Sequence, residues 1–308
     1  MHQRAHSRRP AVAALALATA GALLLSGCGG DEAVAKDPVQ EIRAKLPKAQ
    51  QSAKVLRIGM DVNYPPVEFR GADGKPEDLD PDIAAALGRI LDLRIEYVDT
   101  PFDKLLPDLH TKQFDVVMSA LSDVRQRREG VDEAGKPVGR PVDFVDYFIA
   151  GTSMVVAKGN PKGIRTLDDL CGKTVAVQSG TTQEEILTRQ TTACTRAGKP
   201  LTVHKFDTDP KALAEVAAGT AHAGLNDFPV AAYAAKTTDG GNRLEVVAGS
   251  QSRSNPYGIA LRKEDTELRD VLAKAVDQLI RSGEYDKILA KWDVAAGAAQ
   301  NAVVNGGI

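Results

Sequence analysis

The feature that most restricts the fold of this chain is a sustained alternation of strand and helix signals that starts at Val55 and ends near Trp292. Val55–Met60 reads as a strand. Asp80-Pro81-Asp82 then opens a helix through Leu91, with Asp80 as N-cap and proline in the first turn. Arg94–Val98 reads as a strand and Phe102–Lys112 as a helix. Phe114–Leu121 is a near-continuous apolar run, the pattern required of a strand covered on both faces. After Val142–Phe148 the alternation begins again. Thr174–Gln178, Val203–Phe206 and Ala221–Leu225 are strand signals, interleaved with helices at Thr182–Arg189, from Asp209-Pro210, and from about Pro229 to Lys236. Leu244–Val247 and Tyr257–Leu261 are further strands, and two helices, Thr266–Arg281 and Tyr285–Trp292, meet at Ser282-Gly283, a C-cap signal. Two rounds of such alternation imply an α/β chain with parallel sheets and helices on both faces. Residues 295–308 are rich in Ala, Gly and Asn and are expected to fray.

The first 27 residues have a different character. A basic start (Arg4, Arg8, Arg9) leads into the apolar run Ala11–Leu25, and Leu25-Ser26-Gly27-Cys28 follows at once. That layout is a secretory signal peptide, 1–27. The small residues before Cys28 resemble a bacterial lipobox, which implies cleavage before Cys28 and acylation of that cysteine, with the chains binding a bilayer at about 0.8 kcal/mol per buried CH₂. Arg8-Arg9 is a weak twin-arginine signal, because Pro10-Ala11-Val12 lacks apolar bulk. Residues 28–54 are polar and low in aromatics, as a tether from the membrane would be, with a short helix expected around Val39–Leu46. At 15 residues, Ala11–Leu25 falls short of the ~20 needed to span a bilayer.

Composition narrows the function class. The leader carries three arginines and no acid, so its removal takes the net charge from −2 to −5, a poor balance for binding nucleic acid. At roughly 100–200 residues per domain, the chain is long enough for two lobes. With Cys28 lipidated, Cys171 and Cys194 remain. In an oxidising compartment an even pair is expected to form a disulfide, worth roughly 3 kcal/mol, the alternative being two buried thiols. Gly172-Lys173-Thr174 lacks the first glycine of a phosphate loop and precedes a strand instead of following one. His110, His204 and His222 have no ligand spacing for zinc, and Glu77, Asp78, Asp80 and Asp82 lack that of a calcium loop. No GxSxG sequence occurs and no free cysteine is left as a nucleophile. No metal and no cofactor are expected.

In open α/β sheets ligands bind beyond the carboxyl ends of the strands. Those positions hold Asp61 and Tyr64, Ser122 through Arg127, Ser179-Gly180-Thr181-Thr182, and Asn226-Asp227. Anions, a cation, hydroxyls and an aromatic suit a zwitterion with a polar side chain. Thr181 with Glu184, or Thr182 with Glu185, makes a capping box, so a helix starts there. Its free amides could hold a carboxylate or form an ordinary turn, and spacing does not choose between these.

Here the residues resemble a known family. Ile58-Gly59-Met60-Asp61 with Tyr64-Pro65-Pro66 and Phe69 is similar to the opening of polar amino-acid-binding proteins of ABC importers. Leu79-Asp80-Pro81-Asp82-Ile83 resembles their FDVDL-type motif, with Leu79 for the usual Phe. Phe114-Asp115-Val116-Val117-Met118-Ser119, Val142-Asp143-Phe144, Leu170 through Thr182, Asn226-Asp227, Tyr257-Gly258-Ile259-Ala260 and Lys291-Trp292 follow in the family's order.

The resemblance implies a two-lobed, type II periplasmic-binding-protein-like fold with two crossover strands, near Gly151–Ser153 and Gly249–Ser254. Lobe 1 would comprise 55–150 plus 254–294, lobe 2 would be 151–253, and 295–308 would be a flexible tail. Arg127 would grip an α-carboxylate, with Arg125 and Arg128 as its alternatives; Ser122 and the Thr182 amide would assist. Asp227 would accept the α-ammonium, or simply cap a helix. Tyr64 and Phe102 would sandwich the side chain, unless Phe102 packs in the core. Asp61 and Gln178 would face the side-chain end, and Ala120 stands where relatives have a hydroxyl or glycine. Departures are the Ser122-Asp123-Val124-Arg125 approach and an insertion at Glu129–Pro141. The implied role is a monomeric, lipid-anchored receptor outside the cell membrane. It would bring a basic or amide amino acid to a permease and its ATPase, without catalysis. The competing readings are an exported enzyme resembling cyclohexadienyl dehydratases and a ligand sensor for a membrane kinase.

Overall fold

The alternation becomes two sheets that share one strand. The computed structural model describes residues 37–252 and 254–307, so the signal peptide and Cys28 lie outside the described residues. Helices α1 (Pro38–Arg43) and α2 (Lys48–Ala53) precede β1 (Val55–Met60). A small ribbon follows, β2 (Asn63–Tyr64), β3 (Glu68–Arg70) and β4 (Pro76–Glu77), then α3 (Leu79–Leu91), β5 (Arg94–Asp99), α4 (Leu105–His110), β6 (Val116–Val117) and α5 (Arg125–Glu129). The long strand β7 (Val142–Ala157) leads to β8 (Thr174–Gln178), α6 (Thr182–Arg196), β9 (Thr202–Phe206), α7 (Asp209–Ala218), β10 (Ala223–Asp227), α8 (Phe228–Thr237) and β11 (Leu244–Val246). The return strand β12 (Ser254–Arg262), α9 (Thr266–Arg281), α10 (Glu284–Lys291) and β13 (Ala298–Val304) complete the described chain.

The strand order is β5-β1-β6-β12-β7-β10-β8-β9. Parallel pairs β1–β5, β1–β6, β8–β9 and β8–β10 form the two sheet centres, while β7 and β12 run antiparallel to their neighbours. β7 trades partners in mid-strand: Gly151 pairs with Ser254 of β12, and the next residue, Thr152, pairs with Asp227 of β10. The apolar stripe of α3 (Leu79, Ile83, Leu87, Leu91) and that of α9 (Leu268, Leu272, Ala275, Leu279) are buried on the first sheet. Each such leucine or isoleucine contributes about 1.5–3 kcal/mol by leaving water. A second core, around Val175, Val177, Leu187 and Leu225, sits under the second sheet.

Several expectations are corrected. Of the apolar run Phe114–Leu121 only Val116–Val117 is laddered; Phe114 and Met118–Leu121 are buried but not laddered, with Ala120 at φ 44°, so apolarity marked burial there and not strand. Asp80 is not an N-cap. The helix starts earlier, at Leu79, and the Asp80 carboxylate is buried, accepting from the Tyr147 hydroxyl at 2.6 Å and the Ala120 amide at 2.9 Å. Part of the expected tether is folded: α1 and the link after it cover the first core, with Ile42 and Leu46 buried, and α2 follows with no buried residue. Residues 295–307 do not fray. Ala298–Val304 adds a strand to β7 with Val304 opposite Val145. α6 runs past Arg189 to Arg196 and carries Cys194, which is disulfide-bonded to Cys171.

Candidate functional site

One narrow cleft, with a cavity volume of only about 10 Å³, lies between the carboxyl ends of the two sheets. It gathers all nine residues singled out above: Asp61, Tyr64, Phe102, Ala120, Ser122 and Arg127 from the first sheet's side, and Gln178, Thr182 and Asp227 from the second. Each arrives by local geometry. Asp61 follows the last residue of β1, Gln178 ends β8 and Asp227 ends β10, so the side chains cluster where parallel strands stop.

Hydrogen bonds tie the two sides together. The Tyr64 hydroxyl donates to Asp227 Oδ2 at 3.2 Å and accepts the Asp227 backbone N–H at 3.0 Å. Gln178 Nε2 donates to Asp61 Oδ2 at 2.7 Å, and Asn63 Nδ2 to Asp61 Oδ1 at 2.8 Å. Arg127 donates to the Ser122 carbonyl at 2.9 Å and, across the cleft, to that of Gly180 at 3.2 Å. Gly180 sits at φ +79°, and a Cβ there would lie 3.1 Å from Asp103 Cα, so only glycine lets the two backbones approach this closely.

The alternatives resolve. Arg125 pairs with Glu129 on the surface and Arg128 with buried Asp123 at 2.6 Å; neither lines the cavity. Phe102 both packs beside Leu105 and Leu109 and reaches the cavity, with the Arg127 guanidinium 5.6 Å from its ring centre. Asp227 is the N-cap residue of α8, yet its side chain makes no capping bond; it accepts from Gln183 Nε2 at 2.8 Å instead. Thr181 caps α6 by accepting the Glu184 N–H at 3.1 Å, which leaves the Thr182 amide among those without an intrahelical partner at the cavity wall.

Thr181, one of the strand-end positions, also lines the space, as do Glu68 and Gln183, which were missed. The signal for Glu68 was the tight Tyr64-Pro65-Pro66-Val67-Glu68 turn. Tyr64 and Glu68 are direct partners in the β2–β3 ladder, so both present side chains to one face.

Charge states follow from burial. Burial raises Asp61, against the hydrogen bonds from Asn63 and Gln178. Burial pushes Asp227 up to about 6, opposed by the hydroxyls of Tyr257 and Tyr64, the Gln183 amide and Arg127. Glu68 is held well above the carboxylate range by burial and by Asp80 beside it. The cavity therefore sets three acids, Asp61, Asp227 and Glu68, all pushed upward by burial, against one guanidinium. Among the described residues no cluster of three His, Cys, Asp or Glu could hold a metal ion.

Residues 56–295 match the family model for bacterial extracellular solute-binding proteins, family 3. The chain is 32% identical over 278 residues to the arginine-binding protein ArgT of Corynebacterium glutamicum, covering 90% of this chain and 86% of that protein. A solved ancestral arginine-binding protein bound to arginine is 33% identical with a TM-score of 0.68, covering 78% of this chain and 98% of the other. An ancestral amino acid-binding protein, described as a precursor of cyclohexadienyl dehydratase, is also 33% identical at a TM-score of 0.68, covering 79% and 97%. The architecture is thus the two-lobed, type II periplasmic-binding-protein fold.

Proposed function

The chain belongs to the bacterial extracellular solute-binding proteins of family 3, and from that premise we propose that it captures a free amino acid with a cationic side chain, arginine first, for an ABC importer. One observation carries the reading: Arg127 and Asp227, contributed by different sheets, meet in one cavity with Asp61 on the same wall. Arg127, the Ser122 hydroxyl and the Thr182 amide would hold the α-carboxylate, a charge-assisted and two-pronged grip. Asp227 would take the α-ammonium. Asp61 and Gln178 would meet the side chain, between Tyr64 and Phe102. A neutral side chain leaves Asp61 uncompensated and a glutamate repels it, so Arg, Lys, His and Gln should bind ahead of Glu. The arginine-binding relatives support placing arginine first. At about 10 Å³ the cavity has room for no more than a water, so the two lobes would have to part to admit an amino acid.

Lobes 55–150 plus 254–294 and 151–253 would close over the ligand about the point where β7 trades partners. Because the charged contacts come from both lobes, they are complete only in the closed form, and this differential affinity drives closure. A permease and its ATPase would read that form, and acylated Cys28 would keep the receptor at the outer face of the membrane. Thermal melting with each of the twenty amino acids tests the reading. A raised midpoint with arginine or lysine is expected; no shift with any, or tighter binding of glutamate than of arginine and glutamine, overturns it. Conversion of prephenate or arogenate to product would instead establish the enzyme reading.

A further inference from the structure

Residues 298–307 lie beyond the stretch that the family model matches. We propose that this segment is a docked strap whose Gly306-Gly307 end positions the loop that presents Arg127. The inference rests on the reading of Arg127 as the carboxylate grip, and it deepens it.

The strap is anchored along its length. Val303 and Val304 pair with Asp146 and Val145 on the edge of β7. The Ala302 N–H donates to Asp277 of α9 at 2.8 Å, and the Ala299 N–H to the Tyr285 hydroxyl at 3.0 Å. Asn305 clamps Phe144 from both sides: its Oδ1 accepts the Phe144 N–H at 2.9 Å, and its own N–H donates to the Phe144 carbonyl at 3.2 Å. Its Nδ2 reaches Asp143 at 2.9 Å.

Beyond this clamp the segment delivers two amides to two carboxylates. The Gly306 N–H donates to Asp146 Oδ2 at 3.0 Å, and the Gly307 N–H to Asp123 Oδ2 at 2.9 Å. Asp123 is fully buried and follows Ser122, whose carbonyl holds the Arg127 guanidinium. Its other oxygen accepts from Arg128, the neighbour of Arg127 on α5. The strap, Asp123 and α5 therefore form one hydrogen-bonded chain that ends at the cavity. Asp146 faces Asp123 and is pushed up to about 7 by burial and by that neighbour, with the Gly306 amide working the other way. Two crowded carboxylates stay in place because the strap supplies donors between them and the loop. A side chain cannot replace Gly307, since its Cβ would overlap the Asp123 carbonyl. At Gly306 a Cβ would come within 2.8 Å of Asp146 Oδ2.

The test uses the full chain with Gly307→Val, and a second variant lacking residues 306–308, which removes both donors while leaving β13 intact. Calorimetry measures L-arginine against L-argininamide, whose neutral end gives Arg127 no carboxylate to grip. Loss of one buried charged hydrogen bond should weaken L-arginine roughly tenfold while L-argininamide changes less than about twofold. Hydrogen exchange in the ligand-free chain should rise across residues 122–129, whose Arg127 and Arg128 amides bond to Val124, and stay level in β8 and β10. Unchanged exchange at 122–129, or equal weakening of both ligands, overturns the strap. A wild-type chain that binds no amino acid overturns the functional reading alone, and the exchange measurement still decides the strap.

Discussion

Replacing Asp227 by Asn should make the ligand-free protein more stable and the receptor weaker, and one physical cause drives both effects. Asp227 is 6% exposed, and burial lifts its carboxyl from 3.8 to about 6. At pH 7 the folded chain still holds it largely ionised. Over that rise, at 1.36 kcal/mol per pH unit, keeping the charge costs about 3 kcal/mol of folding free energy. Asn removes the charge. It also turns one acceptor into a donor facing the Tyr64 hydroxyl or Gln183 Nε2, a mismatch of roughly 1–2 kcal/mol. The net gain is then on the order of 1–2 kcal/mol, a midpoint rise of about 2–4 °C for a chain of this size. With ligand the sign reverses, because an α-ammonium buried against an amide loses its counter-charge. That loss is about 2–5 kcal/mol, or roughly 30-fold to several thousand-fold in affinity. Scanning calorimetry without ligand and titration with L-arginine measure the two halves. A variant that melts lower than wild type without ligand, or that binds L-arginine within threefold of it, refutes the reasoning.

Arg127→Ala should cost on the order of 3–5 kcal/mol of L-arginine affinity, since a buried carboxylate would lose its charged partner; unchanged binding by titration removes Arg127 from the site. Stability should fall as pH rises. Asp209 is raised from 3.8 to about 8, Asp78 and Asp146 to about 7, and Asp80 to about 6, with burial the main cause in each. The folded state therefore holds protons that the unfolded chain releases from about pH 4 upward. The ligand-free midpoint should be higher at pH 5.5 than at pH 8, and a higher midpoint at pH 8 would contradict these assignments. Ligand affinity should run the other way, weakening at pH 5.5 as Asp227 protonates. The disulfide closes a span of 23 residues, so the double variant Cys171→Ser/Cys194→Ser should lose about 3 kcal/mol of stability by urea titration. Its L-arginine affinity should hold, because neither cysteine lines the cavity.

What the sequence determined by itself was whatever is written in local periodicity and punctuation. Thr266–Arg281 has a 3.6-residue apolar stripe closed by Ser282-Gly283, and the helix has those bounds. Asp61 and Asp227 were found because each follows a strand that could be read from its own residues, whereas Gln178, the last residue of β8, came only from the family resemblance. Only the tertiary structure decided the rest. α1 is six residues, too short to hold itself, and it and the link after it are ordered by burying Ile42 and Leu46 on a distant core. β13 has no apolar alternation of its own, and the free edge of β7 and the carboxylate of Asp277 make it a strand. Glu68 joins the cavity because a turn places it opposite Tyr64, and its carboxyl is held well above the usual range by burial and by Asp80, twelve residues away along the chain, folded against it. Periodicity is a property of neighbours in sequence, whereas charge state and edge pairing depend on which remote groups exclude water, and that is fixed only when the chain has closed on itself.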